Sequence, residues 1–208
     1  MKKRKKPIRK FPLEPFITEE LYDGEPINYK QIPNIKIEDI HNRVVFDACV
    51  FEKTHITNNE FDRSEFIDCT FNNCDLSNNT FKNSSFIRCE FFDCKFIGSH
   101  IVDSYINDSI FKSCNIRYLD IAQTKIKILE IVESSLLESS WFENKIEGIH
   151  FDQVNLTKSR IYNNPFKELD LSTSTLDDIS IDVVSLPGLI ISEFQAPLFC
   201  KFLGINVK

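Results

Sequence analysis

The sequence predicts an all-β coil with four flat sides, and three observations carry that prediction. From Phe46, stepping by five residues, thirty consecutive positions as far as Ile191 are large and apolar. In a chain that is 42% apolar, such a run arises by chance with a probability of roughly 10^-11. A second track, two positions before each landing, holds nothing larger than Leu, from Cys49, Thr54 and Asn59 to Ile179, Val184 and Leu189. Third, a period of five fits neither the helical repeat near 3.6 nor the strand alternation of 2, so the chain has to turn after every unit.

With each unit as one side of a square, four units close a turn of about twenty residues, and turns stack at the strand spacing of about 4.8 Å. Thirty units make about seven and a half coils, a rod roughly 36 Å long. Stepping by twenty sorts the large residues into four ladders. One reads Phe46, Phe66, Phe86, Ile106, Ile126, Ile146, Phe166 and Leu186; another reads Phe61, Phe81, Ile101, Ile121, Trp141, Ile161 and Ile181. The small track fills the corners, with Cys49, Cys69 and Cys89 in one column and Cys74, Cys94 and Cys114 in another. Ser, Thr and Asn on that track are expected to bond to turn amides whose burial otherwise costs energy.

Taken in order, residues 1–10 carry seven cations (Lys2, Lys3, Arg4, Lys5, Lys6, Arg9, Lys10) with no apolar run behind them. They predict a solvated, disordered arm and a cytoplasmic chain without a signal peptide; the functional alternative for the arm is contact with DNA phosphates. Residues 11–45 hold Pro12, Pro15, Pro26 and Pro33 and miss the step, because His41 stands where an apolar residue belongs. They predict an N-terminal cap of extended segments over the open edge of the first coil. Residues 46–191 form the repeat. In residues 192–208, Ser192 and Gln195 have capping-box spacing, Phe194, Leu198, Phe199, Phe202 and Leu203 have helical spacing, and Gly204 is a stop. Pro197 moves the expected helix start to Ala196 or Pro197.

The chemistry is sparse. No glycine-rich phosphate loop, nucleophile elbow or metal-binding His-Glu motif is present, and the chain has five glycines. Six of seven cysteines lie on the inward track at a spacing unlike a zinc site, and they are expected to pack. His41, His55, His100 and His150 are scattered and assigned to the surface. The expectation is a protein that is not an enzyme and uses no cofactor or metal.

What remains is charge on a stiff rod. The whole chain is -6, residues 11–208 are -13 once the arm is set aside, and residues 46–191 are -10. A duplex presents one charge per about 1.7 Å, so a protein groove built for DNA accepts another suitably spaced anion of similar calibre. Asp68, Asp93, Asp103, Asp108, Glu133, Glu138, Glu143, Glu168 and Asp178 each stand two residues after a landing and are the candidate phosphate substitutes.

The central Leu or Phe, the small residue two before it and the polar outward positions resemble a pentapeptide-repeat protein. That resemblance covers about 70% of the chain and implies a right-handed quadrilateral β-helix. The end of the chain, Phe194-Gln195-Ala196 and Phe202-Leu203-Gly204-Ile205-Asn206-Val207, resembles the quinolone-resistance (Qnr-type) branch. The unbroken step of five is similar to the uninterrupted Gram-positive chromosomal and mycobacterial members.

The resemblance implies a homodimer joined through Phe194, Leu198, Phe199, Phe202 and Leu203. It further implies binding to DNA gyrase and topoisomerase IV as a DNA mimic, with protection from quinolones or natural topoisomerase poisons, and neither nucleic acid nor membrane as a direct partner. The alternative is a structural or adaptor repeat protein that docks an unrelated partner on an apolar patch of Ile67, Ile87, Phe92 and Ile97.

Overall fold

The computed structural model describes residues 3–9, 12–41 and 43–205. Over these residues the chain is a parallel β-solenoid of about nine turns, closed by one short helix. Most sides of the square are a strand of two to four residues, or a single bridge, before the chain turns. The four faces are named in chain order from their first landings, Phe46, Phe51, Ile56 and Phe61.

Residues twenty apart pair in parallel register. The first face runs Phe46, Phe66, Phe86, Ile106, Ile126, Ile146. The second runs Phe51, Phe71, Phe91, Phe111, Ile131, Phe151, and the fourth runs from Phe61 through Trp141 to Ile181. The third is held by bridges from His55 and Asp75 to Asn155 and Thr175. Inside, like lies on like: ring centroids are 4.3 Å apart for Phe51–Phe71 and 4.5 Å for Phe91–Phe111, nearly parallel. Neighbours around one coil meet edge to face, as in Phe91–Phe96 at 5.1 Å. These are the two arrangements an aromatic quadrupole favours.

The corners satisfy their own polar groups. Along one column the backbone N–H of Val44 donates to Ser64 Oγ, Ser64 to Ser84, Ser84 to Ser104, Ser104 to Thr124, Thr124 to Asn144 and Asn144 to Asn164. Each hydroxyl or amide can in turn donate to a carbonyl of the preceding coil, as Ser84 Oγ does to Phe61 O at 2.9 Å. Cysteine does the same with its thiol, Cys89 Sγ donating to Phe66 O at 3.2 Å. The ladder keeps buried amides paired along the rod.

Two local departures from the sequence expectation have simple causes. The coil begins at Ile27, not Phe46: Ile27, Ile32 and Ile37 lie beneath Phe46, Phe51 and Ile56 at an offset of nineteen. One missing residue in that turn shifts the phase and hides it from a strict step of five. Ahead of it, the Glu14–Pro15 strand and the Thr18–Leu21 3-10 turn close the open end. Near the other end one extra residue enters, so Asn164 N–H meets Ser185 Oγ, twenty-one residues on. Ser185 is buried there, and Val184, expected inside, is exposed.

The helix, α1 (Ala196–Phe202), carries proline in its first turn and is followed by Gly204 at φ 72°. Gln195 Oε1 accepts from Ser192 N, and its Nε2 donates to Leu171 O and Ser174 O, each at 2.9 Å. That one side chain ties the helix start to two carbonyls of the last full turn.

Candidate partner-binding surface

The rod displays its outward charge through its corners. The residue two after a landing is left-handed almost throughout the repeat, with φ between 50° and 59° at the non-glycine positions from Lys53 to Asp178. Eight of the nine candidate acids occupy such positions; Glu168 is the exception. Asp and Asn tolerate this conformation through their short polar side chains, so Asp68, Asp93, Asp103, Asp108 and Asp178 have a conformational reason to be there. Glutamate has no comparable preference. Yet Glu133, Glu138 and Glu143 take three successive corners of a single coil, at φ 50°, 56° and 55°. They form an acidic belt around the rod, with Glu133 and Glu143 exposed and Glu138 half-buried.

The structure does not gather the nine acids on one side. Asp68, Asp108 and Glu168 follow the first face, Asp93 and Glu133 the second, Glu138 and Asp178 the third, and Asp103 and Glu143 the fourth. Asp93, Asp103, Glu168 and Asp178 are exposed. Asp68 and Asp108 are buried, at 7% and 4% exposure, and so are not available as outward phosphate substitutes.

What covers those two is the basic arm. Residues 3–9 lie along the rod rather than in solvent, against the expectation of a disordered arm; Lys2 and Lys10 are outside the described residues. Lys5 N–H donates to Asp108 Oδ1 at 2.9 Å and Ile8 N–H to Asp68 Oδ1 at 2.8 Å. Arg88 grips Asp68 through two bonds of 2.6 and 2.7 Å, and the carboxylate holds the Arg88 guanidinium above its ordinary pKa. Arg4 reaches Glu90 at 3.0 Å and Glu130 at 3.3 Å. Sequence reasoning missed Glu90 and Glu130, which stand one residue before a landing. Reading that position by steps of twenty (Thr70, Glu90, Ile110, Glu130) shows two acids in one column.

Of the residues assigned to a dimer, Phe194 is 87% exposed and Leu203 56%, while Leu198 and Phe202 are half-buried. Phe199 instead turns inward, packs in the core and meets the Phe202 ring at 5.7 Å. Asn206 and Val207 lie outside the described residues. The alternative apolar patch is also divided: Ile67 and Ile87 stack on the first face, Phe92 is on the second, and Ile97 follows the third. A more continuous apolar strip is on the fourth face, where the small Ala122 leaves a depression between Val102, Phe142 and Tyr162.

The six corner cysteines are buried, and among them the hydrogen bond from Cys69 lowers only the Cys49 thiol. Burial pushes the Cys69 thiol far up and the Cys89 thiol up to about 12, and hydrogen bonding to the next thiol raises Cys74 and Cys94. Such thiols are poor nucleophiles at neutral pH. Among the described residues, no group of three metal-ligating side chains occurs, and no helix is long and apolar enough to cross a membrane.

The coil with its five-residue sides is the architecture of pentapeptide-repeat proteins, and the family model described as "Pentapeptide repeat region" matches residues 64–141. Among solved structures, the chain is similar to a trypsin-treated variant of QnrB1, described as a plasmid-mediated fluoroquinolone resistance protein. That match has 19% identity, covers 88% of this chain and 98% of that one, and has a TM-score of 0.44. HetL, a pentapeptide repeat protein involved in heterocyst differentiation regulation from the cyanobacterium Nostoc sp. strain PCC 7120, is 8% identical. It matches over 84% of this chain and 94% of its own, with a TM-score of 0.42. No curated protein sequence matches the chain.

Proposed function

We propose that this chain is a DNA-mimicking protein that binds DNA gyrase and topoisomerase IV and relieves poisoning by quinolones or natural toxins. The observation that carries the reading is the belt of Glu133, Glu138 and Glu143. Left-handed backbone costs a residue without special tolerance about 1 kcal/mol, and these glutamates gain only long contacts in return: Ser113 Oγ at 3.4 Å and Lys112 Nζ at 3.9 Å from Glu133, and Gln123 Nε2 at 3.4 Å from Glu143. Glu133 and Glu143 face solvent and Glu138 is half-buried, on a rod of net charge -10. A duplex-like anion is what a basic DNA groove selects. In this reading Asp93, Asp103, Glu168 and Asp178 extend the field, and Asp68 and Asp108 take no part. Two rods join through Phe194, Leu198, Phe202 and Leu203 of the C-terminal segment, and the chain works in the cytoplasm with its target.

The test is gyrase supercoiling with titrated protein, with and without ciprofloxacin. The native chain is expected to inhibit supercoiling at micromolar levels and to reduce drug-stabilised cleavage. The triple change Glu133→Asn, Glu138→Asn, Glu143→Asn is expected to weaken both effects at least tenfold. The same variant is expected to be more stable, by up to about 1 kcal/mol per site, because Asn suits the corner better. Gyrase that ignores the native protein would falsify the proposal.

The fourth-face depression around Ala122 favours a second reading, an adaptor that receives an apolar side chain there. Ala122→Arg then abolishes capture of that partner while leaving gyrase inhibition intact.

A further inference from the structure

The arm does more than neutralise charge: it fits a slot whose spacing matches an extended peptide. Asp68 and Asp108 are two coils apart, about 9.6 Å at the strand spacing, and three extended residues also span about 10 Å. The N–H groups of Lys5 and Ile8, three residues apart, therefore reach both carboxylates at once. Glu90 and Glu130 are likewise two coils apart, and the Arg4 guanidinium bridges them through separate nitrogens. The Arg4 side chain is 9% exposed and that of Glu90 6%, with Arg9 at 3.6 Å on the other oxygen of Glu90.

Thr70, next to Glu90 in the same column, is 3% exposed, and its Oγ1 has no hydrogen-bond partner. The floor of the slot therefore holds a polar group that the arm does not use. Lys3, Lys5, Lys6 and Arg9 meanwhile stay exposed, so a docked arm turns this edge from acidic to basic.

We propose that the slot formed by Asp68, Glu90, Asp108 and Glu130 is a binding site for an extended, arginine-bearing basic segment of a protein partner. Residues 3–9 are its built-in competitor. The inference goes beyond the topoisomerase reading and does not depend on it. Tethering gives the arm an effective concentration on the order of millimolar. A partner segment enters only by outcompeting the arm or after its release. A buried Glu90 and a half-buried Glu130 left without Arg4 are unfavourable, which favours an incoming guanidinium over a simple amine.

The test uses full-length protein and a fluorescein-labelled peptide of residues 1–10, read by fluorescence anisotropy at low ionic strength. Arg4→Ala is expected to bind the peptide at least tenfold more tightly than the native chain, because its own arm no longer competes. Adding Glu90→Gln and Glu130→Gln to that variant is expected to remove the gain. Equal affinity of the native and Arg4→Ala proteins overturns the proposal, and so does tight binding that survives loss of both glutamates. Trypsin cleavage within the arm supplies a second readout that needs no added ligand. It should accelerate at least tenfold in Arg4→Ala and in Glu90→Gln/Glu130→Gln, and unchanged rates also overturn the idea. Gyrase binding by the same proteins separates the two readings, since peptide binding without gyrase binding keeps the slot and rejects the topoisomerase.

Discussion

The two halves of the rod fill the same square interior with opposite choices. From Phe46 to Ile116 the landings are mostly phenylalanine, and every corner is Cys, Ser, Thr or Asn. From Ile121 to Ile181 the landings are mostly Ile and Leu, and Leu119, Leu129, Ile149, Val154, Leu169 and Ile179 enter the corners. The backbone coil keeps the same parallel register of twenty residues in both. Its interior volume is therefore fixed, and large sides go with small corners while smaller sides go with larger corners. Trp141 shows the rule inside the second half: the largest side chain has Ser139 as its corner residue, with Ser159 one coil on, and its Nε1 donates to Ser139 Oγ at 3.3 Å.

The largest expected effect follows from the aromatic half. Phe71 lies between Phe51 and Phe91 at 4.3 and 4.7 Å, and Phe71→Ala is expected to cost about 3–5 kcal/mol in chemical denaturation. Ile131→Ala, the same face in the other half, should cost less, about 2–4 kcal/mol, because a smaller void opens. A larger loss at Ile131 breaks the contrast.

Next in size is a swap that tests compensation directly. Cys89→Leu alone is expected to overpack its corner and cost about 1–3 kcal/mol. Combined with Phe91→Ile it reproduces the Leu129 and Ile131 arrangement, and the pair should cost at least about 1 kcal/mol less than the sum of its parts. Strict additivity sinks the fixed-volume account.

A smaller effect separates the proposed dimer surface from the core. Phe194→Asp with Leu203→Asp changes two exposed side chains and is expected to leave the melting temperature within a few degrees while light scattering shows monomers. Phe199→Asp buries a charge and should instead loosen the C-terminal closure. An unchanged mass in the first variant rejects the proposed interface.

The smallest effect concerns the thiols. At neutral pH a disulfide reagent is expected to label only Cys200, the one cysteine outside the corners. Cys89 is raised in the folded state to about 12 from the ordinary 9.0. Its neutral form therefore favours folding below pH 9, and that contribution is lost as pH rises from 9 towards 12. Cys89→Ser should flatten that part of the stability profile.

Much of this was legible because a repeat writes its geometry into every unit. Phe66, Phe86 and Ile106 had to coincide once the chain turned every five residues, and the Ser64 to Asn164 column had to be small and polar to serve buried amides. The first turn escaped because one missing residue moved Ile27, Ile32 and Ile37 out of phase, and the single insertion at Ser185 hid in the same way. The candidate acids were found by position, but nothing in that track says that Asp68 and Asp108 are covered. Their cover comes from residues sixty and one hundred and three positions away in sequence.

The sequence by itself therefore determined the coil, its register, its corner chemistry and the sign of its charge, since all four follow from a local period repeated along the chain. Only the tertiary structure decided where the basic arm lies, which acids it removes from solvent, that Phe199 points inward and that Gln195 closes the last turn. Those depend on contacts between segments far apart in the chain, where distance and burial, not spacing, select the partner.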